Sequence, residues 1–146
     1  MSLEILQAKA ELKELVDTFS NLADEKNIPG QMPLFTSDTT VKVYMGEELL
    51  FDISGTKQLE EVFTSFTANV KRSYHMNGQH VVKVDGNSAT GVLYCQVKLV
   101  SEEDGKEIIT YHSIRYNDTY VRQNGTWLIK TRISHFMIND RRTLES

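Results

Sequence analysis

Three turn signals, Asp85-Gly86, Asp104-Gly105 and Asn124-Gly125, punctuate the C-terminal half of the chain and constrain its fold more than any other feature. Asp-Gly and Asn-Gly supply the positive backbone angles of tight hairpins, because glycine has no Cβ to clash and Asn or Asp tolerates the left-handed region. Around them lie "HVVKV", "ATGVLYCQVKLV", "EIITYHSIRYNDTYVRQ" and "TWLIKTRISHFMI", rich in β-branched and aromatic residues. The pattern predicts a four-stranded antiparallel meander from about Gln79 onward. Several of these segments are far longer than the usual strand of about five or six residues. Long antiparallel strands twist and curl, and bulges help them bend, so the sheet is expected to be curved.

The N-terminal half has a different period. Ile5, Leu12, Leu15, Val16, Phe19 and Leu22 recur at helical spacing between charged residues, which predicts an amphipathic helix from Leu3 to about Ala23. The following "NIPGQMPLFTSD" holds both prolines, Pro29 and Pro33, and has room only for short helical turns. "TTVKVYM" and "ELLFDIS" flank Gly46 as a short strand pair. A second helix is expected over about Thr56 to Asn69, where Leu59, Val62, Phe63, Phe66 and Val70 share a face and Ser54 stands near the start as a cap. The fold class is therefore α+β, with helices covering one face of a curved antiparallel sheet and a pocket between the layers.

Composition bounds the function. A chain of 146 residues is about one domain, taken here as residues 1–146 with a flexible tail from about 140. Sixteen Lys and Arg against twenty Asp and Glu give a net charge of -4 without long runs of either sign, which argues against a nucleic-acid partner. No apolar run approaches the ~18 residues of a membrane span, and no secretory leader is recognisable, so a cytoplasmic location is expected. The single Cys95, inside "GVLYCQV", reads as a buried thiol rather than a nucleophile. No phosphate loop, nucleophile elbow or metal-binding helix motif is present, and the four histidines are dispersed, so neither a metal nor a cofactor is expected.

The segments "IRYNDTYVRQNGTWLIKTRIS" and "VVKVDGNSATGVLY", with a leading helix ending "LADEKNI", resemble the SnoaL-like branch of the nuclear transport factor 2-like superfamily over nearly the whole chain. The resemblance implies a cone of curved sheet and helices with an apolar pocket, often dimeric through its sheet. Its members include scytalone dehydratase, ketosteroid isomerase, polyketide cyclases and binding proteins without catalysis, so activity has to be argued from the site.

By that resemblance, Asp24 in "LADEKNI" matches an aspartate that orients a water or a histidine, and Tyr44 in "VKVYMG" a tyrosine that reaches the pocket. His75 in "YHMNG" matches the histidine carried before the second half of the sheet. A histidine near its ordinary pKa both takes and gives a proton at neutral pH, and an aspartate can hold its tautomer. His80 is five residues from His75, an odd interval that places the two on opposite faces of one continuous strand, although Asn77-Gly78 allows a bend that would break the count. His80 is expected to be exposed or at the sheet edge and is left out of the site.

In "TYHSIRYNDTY", His112, Ile114, Tyr116, Asp118 and Tyr120 share one face while Tyr111, Ser113, Arg115 and Asn117 share the other. Alternation does not say which face lines the pocket. His112 and Tyr116 are carried as ligand-binding candidates. Tyr94 joins them from the neighbouring strand, where this chain has Leu93, Tyr94 and Cys95 near the place of a second catalytic histidine in scytalone dehydratase.

Two functional readings follow. One is a cofactor-independent dehydratase, isomerase or cyclase acting on an apolar carbonyl compound, with Asp24, Tyr44 and His75 as its catalytic set. The other is a ligand-binding or protein-interaction module of the same fold. Under either, the partners expected are a small apolar ligand and a second copy of the chain.

Overall fold

The computed structural model describes residues 2–145. Along the chain lie α1 (Leu3–Asp24), α2 (Ile28–Gln31), a 3-10 turn (Met32–Leu34), β1 (Phe35–Met45), β2 (Glu48–Ser54), α3 (Thr56–Thr67), β3 (Val70–Asp85), β4 (Ser88–Glu103), β5 (Lys106–Gln123) and β6 (Thr126–Thr143). The strands form one curved, unclosed sheet in the order β2-β1-β6-β5-β4-β3. All neighbours are antiparallel except β1 and β6. The architecture is α+β, and the C-terminal meander has the expected order.

The Ser2 hydroxyl caps α1 by accepting from the Ile5 amide at 3.2 Å. The stripe Leu12, Leu15, Val16 and Phe19 is buried in one core with Leu93, Cys95 and Ile129 of the sheet. Each such side chain contributes about 1.5–3 kcal/mol when fully buried. At the start of α3 the Ser54 hydroxyl is not the cap. The turn is made by Gly55 at φ +83, and the Ser54 amide donates to Gln58 Oε1 at 2.8 Å.

The hairpins follow the turn signals with one offset. Asp104-Gly105 (φ +51, +78) and Asn124-Gly125 (φ +52, +80) hold both central residues in the left-handed region. In the first hairpin Asp85 ends β3, and the loop is Gly86–Asn87, with Gly86 at φ +60. Glycine thus occupies the first central position there.

Both outer limits of the meander lie further out than expected. β3 begins at Val70 rather than near Gln79, because the polar run "KRS" is an edge segment whose charges face water and are paired there. Lys71 Nζ donates to Glu102 Oε2 at 2.9 Å, and Arg72 donates to both carboxylate oxygens of Glu107 at 2.9 and 3.1 Å. At the other end residues 140–143 are strand and not a loose tail. Thr143 pairs with Ile108, and the Leu144 amide donates to the Glu107 carbonyl at 2.9 Å.

Register shifts set the site. One extra residue lies on β3 between Asn77 and His80, one on β6 at Lys130 and one on β6 at Met137. Because side chains alternate along a strand, each insertion changes which residues face the concave side.

Candidate functional site

Between the helices and the concave face of the sheet lies a cavity of about 130 Å³. That is close to the volume at which an apolar cavity accepts a benzene-sized guest. Phe19 and Ile28 from the N-terminal segment, Val62 and Phe63 from α3, and Val41 and Phe51 from the first strand pair make an apolar wall. His75, His112, Tyr116, Arg132 and Ser134 add polar groups from β3, β5 and β6. A mostly apolar cavity with a few convergent polar groups is the usual form of a small-molecule site.

Asp24, the last residue of α1, meets His75 of β3. Asp24 Oδ1 lies 2.7 Å from His75 Nδ1, and Asp24 Oδ2 accepts from the His75 backbone amide at 3.1 Å. The Ser73 hydroxyl donates to Asp24 Oδ1 at 3.3 Å. A carboxylate accepts only, so Nδ1 carries a proton, and in the neutral ring Nε2 keeps its lone pair. His75 Nε2 has no hydrogen-bond partner among the described residues, and its ring lines the cavity. The side chains are 13% and 28% exposed, dry enough to be held in place and open enough to exchange protons. This is the arrangement of a general base with an orienting acid behind it.

β5 turns His112, Ile114 and Tyr116 into the cavity, which settles the question that alternation left open. His112 Nδ1 lies 2.7 Å from Asn139 Oδ1, and the Phe136 ring packs edge-on at 4.9 Å. Burial lowers the proton affinity of His112 below the ordinary histidine value; Asn139 opposes this, and the charge of a protonated His75 adds to it. The Tyr116 phenol is pushed upward, first by burial, so it remains a neutral O–H donor. It has no hydrogen-bond partner among the described residues.

Beneath this wall sits a group that sequence reasoning missed. Asp118 and Arg132 face each other across β5 and β6 and are buried. Arg132 donates through Nε and Nη2 to the two Asp118 oxygens at 2.8 and 2.9 Å. Burial alone would lower the guanidinium pKa, but the Asp118 charge and these hydrogen bonds hold it above its ordinary value. The guanidinium lies over the Tyr116 ring at 4.0 Å and the Phe19 ring at 4.8 Å, and Nη1 has no hydrogen-bond partner among the described residues.

The Tyr120 hydroxyl also donates to Asp118, at 2.7 Å, and His80 Nε2 lies 3.0 Å from that hydroxyl. Since the one Tyr120 proton points at Asp118, His80 is the donor in the second contact. Gly91 makes room for Tyr120. A Cβ there would lie 2.9 Å from Tyr120 Cε2 and 3.1 Å from its hydroxyl.

His80 therefore does not sit where an unbroken strand would put it. The extra residue between Asn77 and His80 brings both histidines of β3 to the concave face. They still form no pair, since His75 is bound to Asp24 and His80 to Tyr120. Tyr44 and Tyr94 lie outside the cavity. On β1 it is Val41 and Val43 that turn inward, so alternation carries Tyr44 to the outer face, where it stacks on His135 at 5.4 Å. On β4 the buried residues are Leu93, Cys95 and Val97, and Tyr94 is 40% exposed between them. Cys95 is buried, and burial pushes its thiol up to about 12. Among the described residues no three His, Cys, Asp or Glu side chains converge as metal ligands. Among the same residues no helix is long and apolar enough to cross a membrane.

A cone of curved sheet and helices around a largely apolar, histidine-bearing cavity defines the class. Residues 4–133 match the SnoaL-like domain, and the chain belongs to that family. An uncharacterized protein of Mycobacterium tuberculosis strain H37Rv is 23% identical over 134 residues, covering 91% of this chain and 88% of the relative. Among solved structures the fold is similar to that of a candidate scytalone dehydratase from Novosphingobium aromaticivorans, with TM-score 0.84, 16% identity, and coverage of 100% of this chain and 95% of that one. It is also similar to LinA, with TM-score 0.78, 14% identity, and coverage of 99% and 94%. A protein of unknown function with a cystatin-like fold from Nostoc punctiforme gives TM-score 0.70, 21% identity, and coverage of 87% and 89%. At these identities the likeness speaks to the fold.

Proposed function

We propose that this protein binds a small apolar carbonyl compound in the cavity and acts on it without a cofactor, as a dehydratase, isomerase or cyclase. His75 removes a proton from carbon, and Asp24 holds its tautomer and stabilises the imidazolium that forms. The observation that carries the reading is the 2.7 Å contact between Asp24 and His75 Nδ1, which leaves Nε2 free at an apolar cavity. The donor role once expected of Tyr44 passes to Tyr116, whose hydroxyl is unpaired among the described residues and would polarise the carbonyl oxygen. His112 completes the polar wall as a ligand contact.

The reading is tested by following α-proton exchange of single-ring ketones in deuterated buffer by proton NMR. Exchange above the buffer rate that disappears in His75→Ala and falls strongly in Asp24→Ala is the expected result. Exchange that persists in His75→Ala overturns the catalytic role, and a ligand bound without exchange favours the binding-module reading instead.

The outer sheet face supports a second copy as partner. Tyr74, Met76, Val81, Val92 and Tyr94 are exposed there on adjacent strands β3 and β4, more contiguous apolar surface than scattered single residues provide. Light scattering at micromolar concentration is expected to give a dimer that Tyr74→Lys weakens. A monomeric wild type would contradict it.

A further inference from the structure

The donor and acceptor pattern of the polar wall says more about the ligand, resting on the cavity being the ligand site. Asn139 Nδ2 donates to the Phe136 carbonyl at 3.2 Å, which fixes the amide and turns Oδ1 toward His112. An amide oxygen cannot donate, so the 2.7 Å contact requires the proton on His112 Nδ1. The lone pair is therefore on Nε2. The Met137 insertion makes this contact possible, because it sets Asn139 directly across from His112 while Phe136 stays inward opposite Ile114.

His75 obeys the same rule, with Asp24 in the place of Asn139. Two imidazoles on separate strands thus offer acceptors to one cavity. With His75 committed to proton removal, the second acceptor has no use for a bare carbonyl oxygen, which also only accepts. It is matched by a ligand O–H. Cavity volume and the apolar wall limit the rest of the ligand to an apolar body of about one ring.

We propose that the ligand carries a hydroxyl group on a ring-sized apolar body, that this hydroxyl donates to His112 Nε2, and that Asn139 is the positioning residue keeping His112 in the accepting tautomer. Asn139 itself is exposed, so it is removable without opening the core. Its role is to fix a proton on the far side of the ring, not to touch the ligand.

The test uses 4-methylphenol, 4-methylanisole and toluene as probes, titrated into the whole protein at neutral to mildly alkaline pH and followed by NMR. Wild type is expected to bind 4-methylphenol about tenfold more tightly than either probe without an O–H, the effect of one net hydrogen bond. His112→Phe should erase that preference, Asn139→Leu should reduce it, and Asn139→Asp, which keeps an acceptor for Nδ1–H, should restore it. In ¹⁵N spectra of the free protein, His112 Nε2 should be unprotonated in wild type and Asn139→Asp, and partly protonated in Asn139→Leu. Equal binding of the three probes, a preference that survives His112→Phe, or a protonated Nε2 in the neutral wild-type ring overturns the proposal while the cavity remains a ligand site. Binding of none of the probes removes the cavity reading itself.

Discussion

Two carboxylate pairs stand on either side of the same wall, and they differ in what they leave unused. Asp24 and His75 meet at 2.7 Å, Asp118 and Arg132 at 2.8 Å. In the buried pair both Asp118 oxygens are occupied, Tyr120 adds a third donor, and Arg132 is packed between two rings. In the half-open pair the imidazole keeps one nitrogen free at the cavity. Burial and full occupation of the carboxylate thus make one pair a structural rivet, while the other, partly exposed, leaves a ring nitrogen open to the cavity. Asp118 offsets the charge of Arg132, a cation that also lines the cavity.

Breaking the buried pair should have the largest effect. Asp118→Ala leaves an uncompensated guanidinium in the interior and is expected to cost about 3–5 kcal/mol in urea unfolding. Removing both partners, as Asp118→Leu with Arg132→Met, should recover much of that loss, because the cost lies in the unpaired charge. A double variant as unstable as the single one would mean that the pair's shape matters more than its charge.

The next effect probes the packing that aims Tyr120. Gly91→Ala places a methyl against the Tyr120 ring and within 3.0 Å of Val82 Cγ1. A rigid ring pressed from a sheet backbone has little room to yield, so a loss of about 1–3 kcal/mol is expected. Thermal unfolding that matches wild type would show the ring to be freer than the close approach implies.

The smallest effect concerns protonation. His80 and His112 are both held below the ordinary histidine value of 6.5, chiefly because burial disfavours the charged ring. As pH falls through 6.5 the unfolded chain takes up these protons before the folded one does. The unfolded state then binds more protons, so stability falls with falling pH and is recovered above that value. His112 is buried and His80 half-buried, and with only two rings involved the change is expected to be modest. A urea midpoint that rises on acidification would contradict the assignment.

Much of the fold was legible because it is written in local signals. Helical spacing located α1, and glycine at the hairpin tips ordered the meander. The insertions were not legible, and they decide the site. Counting back from the Asn124-Gly125 turn without a bulge sets Asp118 across from Thr131; the extra residue Lys130 replaces it with Arg132. An Arg within the alternating run "TRIS" was the one available hint of that buried cation. The same kind of insertion between Asn77 and His80 turned His80 inward, and its position depends on pairing with β4 rather than on any residue's own preference. Asp24 and His75 were nameable through resemblance, since they lie 51 residues apart and no local pattern joins them. Tyr44 and Tyr94 failed on strand parity, which a one-residue difference reverses.

The central claim is that the half-open pair leaves His75 Nε2 unprotonated and available. It is tested most directly by ¹⁵N NMR of histidine-labelled protein at mildly alkaline pH, in wild type and Asp24→Ala. The account predicts a protonated Nδ1 and a lone-pair Nε2 for wild-type His75, and a shift toward the other tautomer when Asp24 is removed, with the Asp118–Arg132 pair and the fold intact. A wild-type His75 with its proton on Nε2, or a tautomer indifferent to Asp24→Ala, would contradict it.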